Sequence, residues 1–301
     1  MTYNIFTRKL VDYEFTLIPV DDSVEGDPQI QAVVDAYNAQ IGAALSTDLD
    51  APITTTSFAL EKSSFQVTGI GSLAADSLRA VANGLLPLNM TTEGVIAPFD
   101  IGVVASGVIR DDIYPGKTGI VTFSDVYNML PLGISPDDPS VPGYPLMSVY
   151  ASGEDVYTIC EVALSFAPVI GSDYYLNFSG ISIDYDPAGA TTFQGVQGVY
   201  LHDPADIFCT ESADFINPYD PDRLYRIVVD LYALQMLYIV NNYIAPNSID
   251  PINPLPIDRD PATGVQDLKE WMAPVKFLPQ LEGGIPAAIY GPSGSVMGRV
   301  Y

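Results

Sequence analysis

Residues 101–109, IGVVASGVI, constrain the fold most, because they form an unbroken run of small and β-branched residues with no polar alternation. A strand that is wet on one face alternates in hydropathy; a run without alternation reads as a strand covered on both faces. Such a strand needs hydrogen-bonding neighbours along its edges and apolar layers above and below it. The rest of the chain carries the pieces. Asp27-Pro28 is an N-cap followed by proline at the first helical position, and Ile30, Val33, Val34, Tyr37, Ile41 and Leu45 then fall on one stripe at helical spacing. A second helix is expected over 71–86, carrying Leu73, Leu78, Val81 and Leu85, and a third over 123–130 with Thr122 as N-cap. Ser152 with Asp155 starts a fourth in capping-box fashion, running to Phe166 with Val156, Ile159, Cys160, Ala163 and Phe166 inward. A fifth spans 230–243. Strands are expected at 9–20, 52–60, 174–185 and 224–229. In 174–185 the apolar phase switches at Gly180, which predicts a β-bulge at Ser179-Gly180. Helices and strands intersperse without strict βαβ alternation, so the fold class expected is α+β, a mixed β-sheet covered by helices. Residues 1–245 form the expected domain. Prolines and aspartates dominate 246–301, which reads as an irregular C-terminal extension.

The material for a core is present, with 48% hydrophobic and 11% aromatic residues. The net charge of −25 comes from a shortage of cations, 12 Lys and Arg against 37 acidic residues. A chain so poor in basic side chains cannot displace counterions from a phosphate backbone, which excludes nucleic acid as a partner and disfavours anionic membranes. The longest apolar run, 231–244, is too short and too polar to span a bilayer. The opening Met1-Thr2-Tyr3-Asn4 does not read as a signal peptide. Acidity, low Lys and abundant Tyr point to an extracytoplasmic setting, periplasmic, cell-surface or secreted. Cys160 and Cys209 are either one disulfide or two buried thiols.

Catalytic chemistry is hard to assemble. There is one histidine, His202, in the turn Leu201-His202-Asp203-Pro204, where capping is the ordinary role, and no Ser/His/Asp or Cys/His set can be built convincingly around it. No phosphate-cradling loop or dinucleotide fingerprint occurs. Aspartates cluster at 137–138, 184 and 186, 220 and 222, and 258, 260 and 267. Oxygen-rich loops of this kind suit calcium, but none has EF-hand spacing, and turn-forming aspartate is the alternative. Tyr232, Met236, Tyr238 and Tyr243 make an aromatic stripe that reads as core or as a packing face for a partner subunit.

Three stretches, in order, resemble the C-terminal, substrate-binding domain of the 5'-nucleotidase family. The first is GSLAADSLR at 71–79. The second is VASGVIR at 104–110, followed by Gly116, IVTFSDV at 120–126 and Leu130-Pro131-Leu132. The third is NFSGI at 177–181, running into Tyr185-Asp186. The resemblance covers about residues 10–240. It implies a domain that grips the base and sugar of a nucleotide or nucleoside while a separate N-terminal metallophosphoesterase domain cleaves the phosphate ester. That two-metal site needs several His and Asp ligands. With one histidine this chain cannot hold it, so no catalytic residue and no resident metal are expected here. By the resemblance Arg110, Gly107, Asp76 and Leu132 would line the substrate pocket. Arg110 offers a bidentate fork to an anion; the alternative is an ion pair with Asp111, Asp112 or Asp76. Several family positions differ: Ser64 stands where the family has Arg, Ala105 where it has Asn, Val108 where it has Gly, and Leu132 where it has a stacking aromatic. Gln235-Met236-Leu237-Tyr238 replaces the Gly-Gly-Asp-Gly loop. The base-binding pocket is therefore expected to be degenerate. Two functions follow: substrate recognition for a 5'-nucleotidase-like hydrolase in nucleotide catabolism, or a non-enzymatic extracellular module that self-assembles.

Overall fold

A computed structural model describes residues 1–18, 24–45, 47–84, 98–137, 139–240, 252–257 and 267–301. In chain order its elements are β1 (Thr2–Asn4), β2 (Lys9–Asp12), α1 (Pro28–Leu45), β3 (Pro52–Thr55), α2 (Gly69–Gly84), β4 (Ile101–Ala105), β5 (Ile120–Thr122) and α3 (Phe123–Met129). They continue with β6 (Leu146–Ser152), α4 (Gly153–Glu161), α5 (Ala167–Ile170), β7 (Leu176–Ser179), β8 (Ile181–Tyr185), β9 (Val196–Leu201) and β10 (Asp214–Phe215). The last are β11 (Leu224–Asp230), α6 (Leu231–Ile239), β12 (Ile252–Pro256), α7 (Met272–Phe277) and α8 (Ala287–Tyr290). The chain divides into two compact units, Met1–Ile41 and Gly42–Tyr301.

In the first unit β1 and β2 pair antiparallel. Asp27 caps the following helix as its sequence position implies, its Oδ1 accepting from the backbone N–H of Gln29 at 2.8 Å. Of the apolar stripe, Ile30, Val33, Val34, Tyr37 and Ile41 are all exposed.

In the second unit a five-stranded mixed sheet runs in the order β12-β6-β11-β4-β7. Only β11 and β4 are parallel; the other pairs are antiparallel. The proline-bearing strand β12 sits on an edge, where a missing N–H costs no ladder bond. Every residue of β4 is buried. Its neighbours divide by strand alternation. Val104 and Val228 face a cluster with Leu73, Leu78, Trp271 and Phe277, from α2 and the C-terminal segment. Ile101, Val103, Ile227 and Val229 face a second cluster with Ile159, Phe178, Ile183 and Val199. A three-stranded sheet, β10-β9-β8, belongs to that second side, and β3 pairs with β5. This is the α+β, mixed-sheet class expected.

The structure departs from the sequence reading most clearly in three places. The buried run at 101–109 is strand only to Ala105, then a 3-10 turn at 106–108. Gly180 is not a bulge within one strand. With φ +86° it turns the chain from β7, in the five-stranded sheet, to β8, in the three-stranded one. A β-carbon there would fall 2.1 Å from the Asp100 carbonyl oxygen, so only glycine fits. The helix begun at Ser152 ends at Glu161 and passes through a π-helical turn at 162–166 before α5. Residues 267–301 fold as short helices and turns. They bring Leu268, Trp271, Phe277, Leu278, Tyr290 and Val296 into the first core cluster. The expectations for 241–251 and 258–266 lie outside the described residues.

Candidate functional site

The turn that ends β4 is held from several sides. Ser106 takes a backbone bond from its N–H to Tyr175 O at 2.8 Å, and Arg110 N–H donates to Met129 O at 2.9 Å. Gly107 packs so closely on the next wall that a β-carbon would sit 2.9 Å from Asp173 Cβ. Arg110 therefore emerges at a fixed point. Its guanidinium is exposed, makes one long bond to Gly107 O at 3.4 Å, and has no ion-pair partner among the described residues. The ion-pair alternative for Arg110 is thus not realised among them.

Lys62 reaches the same place from a distant loop. Its Nζ donates to Arg110 O at 2.7 Å, while its backbone N–H donates to Asp112 Oδ1 at 2.7 Å. The start of α2 supplies another wall. Thr68 is buried, and its Oγ1 accepts from Gly71 N–H at 3.1 Å. Asn177 on β7 donates from Nδ2 to Ser106 Oγ at 3.1 Å and so orients that hydroxyl. Together Lys62, Ser63, Ser64, Thr68 and Ile70 meet Ser106, Ile109 and Arg110, with Ser172 and Asp173 completing a cavity of about 240 Å³. The cavity offers two cations, one carboxylate, hydroxyl groups and two isoleucines. Chemically it can hold an oxygen-rich anion.

Of the residues predicted to line a pocket, Arg110 lines this cavity and Gly107 forms the turn beside it. Asp76 lies elsewhere, fully buried, where Arg299 Nη1 and Nη2 each donate to it at 2.8 Å and Tyr290 Oη donates at 2.8 Å. Leu132 does not line the cavity; its carbonyl accepts from Tyr144 N–H at 2.9 Å. Lys62, Thr68, Ser172 and Asp173 carry no local motif, so sequence reasoning misses them. Ser64 has a signal, since it stands at a position that departs from the family pattern.

A second constellation is also silent in the sequence. His202 Nε2 lies 2.8 Å from Ser182 Oγ, and Nδ1 lies 3.5 Å from Asp206 Oδ2. Burial pushes the imidazole's pKa down; Arg299 and Arg79 add to that, and Asp206 opposes it. The backbone beside Ser182 is already committed, with Ile183 N–H donating to Arg299 O and His202 N–H to Gly180 O. Neither of these N–H groups is free to stabilise an oxyanion, and the contacts fasten the 202–211 loop to β8.

Aspartates do turn and cap work: Asp186 Oδ1 accepts from Ala188 N–H and Asp220 Oδ1 from Asp222 N–H. Asp267 pairs with Lys269 at 3.3 Å. Among the described residues no group of three His, Cys, Asp or Glu converges as a metal site would require. Asp138, Asp258 and Asp260 lie outside them. Cys160 and Cys209 are free thiols. No helix among the described residues is long and apolar enough to cross a membrane.

A 5'-nucleotidase precursor from Thermus thermophilus has a similar fold, with a TM-score of 0.51 and 17% identity, over 90% of this chain and 42% of that one. The NAD nucleotidase of Haemophilus influenzae matches at TM-score 0.46 and 15% identity, over 84% of this chain and 39% of its own. A putative 5'-nucleotidase from Staphylococcus aureus matches at TM-score 0.45 and 14% identity, over 87% and 42%. The chain thus spans well under half the length of these structures. No curated protein sequence matches. The profile of the 5'-nucleotidase C-terminal domain matches residues 40–236, which takes in α2, β4 with its turn, and β11. On that match, which spans well over half of its length and all the walls of the Arg110 cavity, the chain belongs to the 5'-nucleotidase C-terminal domain family.

Proposed function

We propose that this chain is the substrate-recognition domain of a 5'-nucleotidase-like hydrolase acting in nucleotide catabolism, not catalytic on its own. The observation that supports it most is Arg110, an arginine without an ion-pair partner among the described residues, standing in a polar cavity beside Lys62. A guanidinium left unpaired beside a lysine in a chain of net charge −25 is suited to a ligand anion. Cleavage would need a metallophosphoesterase domain from the same or another polypeptide, with its divalent metals. An extracytoplasmic location goes with this reading. The test is titration calorimetry with adenosine, AMP and UDP-glucose. Micromolar binding that Arg110→Ala weakens at least about tenfold, some 1.4 kcal/mol, is expected; no heat from any of them would sink it.

One observation favours a rival, a self-assembling structural module. In the unit Met1–Ile41, Phe6, Phe15, Leu17 and Ile18 are exposed along with Ile30, Val33, Val34, Tyr37 and Ile41. Large exposed apolar patches mark interaction faces, and these side chains are the material for one. Sedimentation velocity separates the readings: a concentration-dependent oligomer dispersed by Val33→Glu supports assembly, and a monomer at all concentrations removes it.

A further inference from the structure

We infer that the Arg110 cavity takes a small oxyanion carrying neighbouring hydroxyl groups, an aldose phosphate or a hydroxy acid, and gains nothing from a nucleobase. This rests on the recognition reading above and narrows its ligand.

The lining contains no aromatic side chain. A base is held in a protein chiefly by stacking on an aromatic ring, which strengthens binding about 5- to 150-fold per base; the guanidinium in the lining, that of Arg110, is committed to the anion. Leu132, where the family carries an aromatic, is not at the cavity either. Size points the same way. About 240 Å³ lies below the roughly 300–1,000 Å³ of pockets that enclose drug-sized ligands. A base-free sugar phosphate is the smaller occupant.

The polar groups select more finely. Five hydroxyls, on Ser63, Ser64, Thr68, Ser106 and Ser172, can both give and accept hydrogen bonds. Ser106 is pre-oriented by Asn177, which donates to its oxygen and leaves its proton free to point at a ligand. Arg110, Lys62 and the N-terminal end of the 16-residue helix α2 favour negative charge. Asp173 is a pure acceptor that repels an anion but welcomes hydroxyl donors. A bare inorganic anion uses the first set and is opposed by the second. A hydroxylated anion uses both.

The experiment is calorimetry on the whole chain with ribose 5-phosphate, gluconate, AMP and inorganic phosphate. Ribose 5-phosphate or gluconate is expected to bind within about threefold of AMP or tighter, below the smallest stacking gain. The tighter of the two identifies phosphate or carboxylate as the anion. Arg110→Ala, at an exposed side chain, should leave the melting curve unchanged and weaken all binding at least about tenfold. Asp173→Ala should weaken the hydroxylated ligands relative to inorganic phosphate, which the variant should bind more tightly than the parent does. AMP binding about tenfold tighter than ribose 5-phosphate would overturn the inference while leaving the recognition reading intact. Inorganic phosphate binding as tightly as ribose 5-phosphate would overturn the hydroxyl selection. Silence from every ligand overturns both.

Discussion

Asp76 and Glu270 are both buried carboxylates, and their surroundings give them opposite effects. Asp76 accepts the two-pronged donation of Arg299 and a bond from Tyr290, so its charge is matched where water is absent. Removing one partner of a buried pair leaves the other charge stranded, at a cost of about 3–5 kcal/mol. Asp76→Ala is expected to lose that much stability in urea titration, and a loss under about 1 kcal/mol would refute the ion pair's role. Glu270 has neither oxygen hydrogen-bonded, and it is 1% exposed. Burial, and then the nearby Asp230, hold its pKa well above the usual carboxylate range. Burial also raises Asp230, to about 6, against the pull of backbone N–H groups including that of Ala233. A carboxyl raised in the fold keeps its proton longer than in the unfolded chain. Its contribution to stability is complete below the unfolded value, about 4.3 for glutamate. It is lost as the pH climbs through the raised folded value. Glu270→Gln should therefore melt higher than the parent at pH 7.5, by roughly 2–4 °C for each kcal/mol recovered, and the same as the parent at pH 4. Calorimetric melts at the two pH values decide it; a lower Tm at pH 7.5 would mean that Glu270 is charged and paired. At this scale the sequence is least legible. Asp76 is visible through its motif, but its partner Arg299 is more than two hundred residues away, and no local pattern announces which acid an arginine will reach.

Elements are more legible, because their signals are local. Thr122 with Asp125 and Ser152 with Asp155 both form full capping boxes, and Asp27 caps α1 where expected. What the sequence hides at this scale is continuity. The residues of 101–109 are small or apolar throughout, so hydropathy cannot tell that the strand stops at Ala105 and gives way to a 3-10 turn in which Gly107 packs closely on Asp173. Likewise the phase switch at Gly180 is a true break in alternation, but a bulge and a change of sheet leave the same trace in sequence. The corner makes a firm prediction. Gly180→Val adds a β-branched side chain at φ +86° and drives it into the Asp100 carbonyl. Strain and displacement should together cost at least about 2 kcal/mol. A Gly180→Val variant equal in stability to the parent by urea titration would show that the corner can relax.

At the scale of the whole molecule, the C-terminal segment decides whether the second unit holds together. Its proline and aspartate content predicts an irregular wrap, and part of it lies outside the described residues. Residues 267–301 nonetheless close the first core. Trp271 meets Phe123 and Tyr127 edge-on at 5.6 and 5.5 Å, and its indole N–H donates to Pro142 O at 2.8 Å. Val300 bridges to Ile183, and Tyr301 exchanges backbone bonds with Ile183 and Tyr185 along the free edge of β8. Prolines limit regular structure without limiting burial: α7 and α8 are short, yet Met272, Ala273, Phe277, Leu278, Ile285 and Tyr290 are all inside. A chain ending at residue 266 would expose Leu73 and Leu78, strand Asp76 without Arg299, and open an edge of β8. Each fully buried large apolar side chain deleted from a core costs about 2–5 kcal/mol, and the segment supplies several, against a total stability of roughly 5–15 kcal/mol. The truncated chain is expected to lose its cooperative thermal transition by circular dichroism. A retained sigmoidal melt would mean that the sheet and α2 fold without this segment and that 267–301 only decorates them.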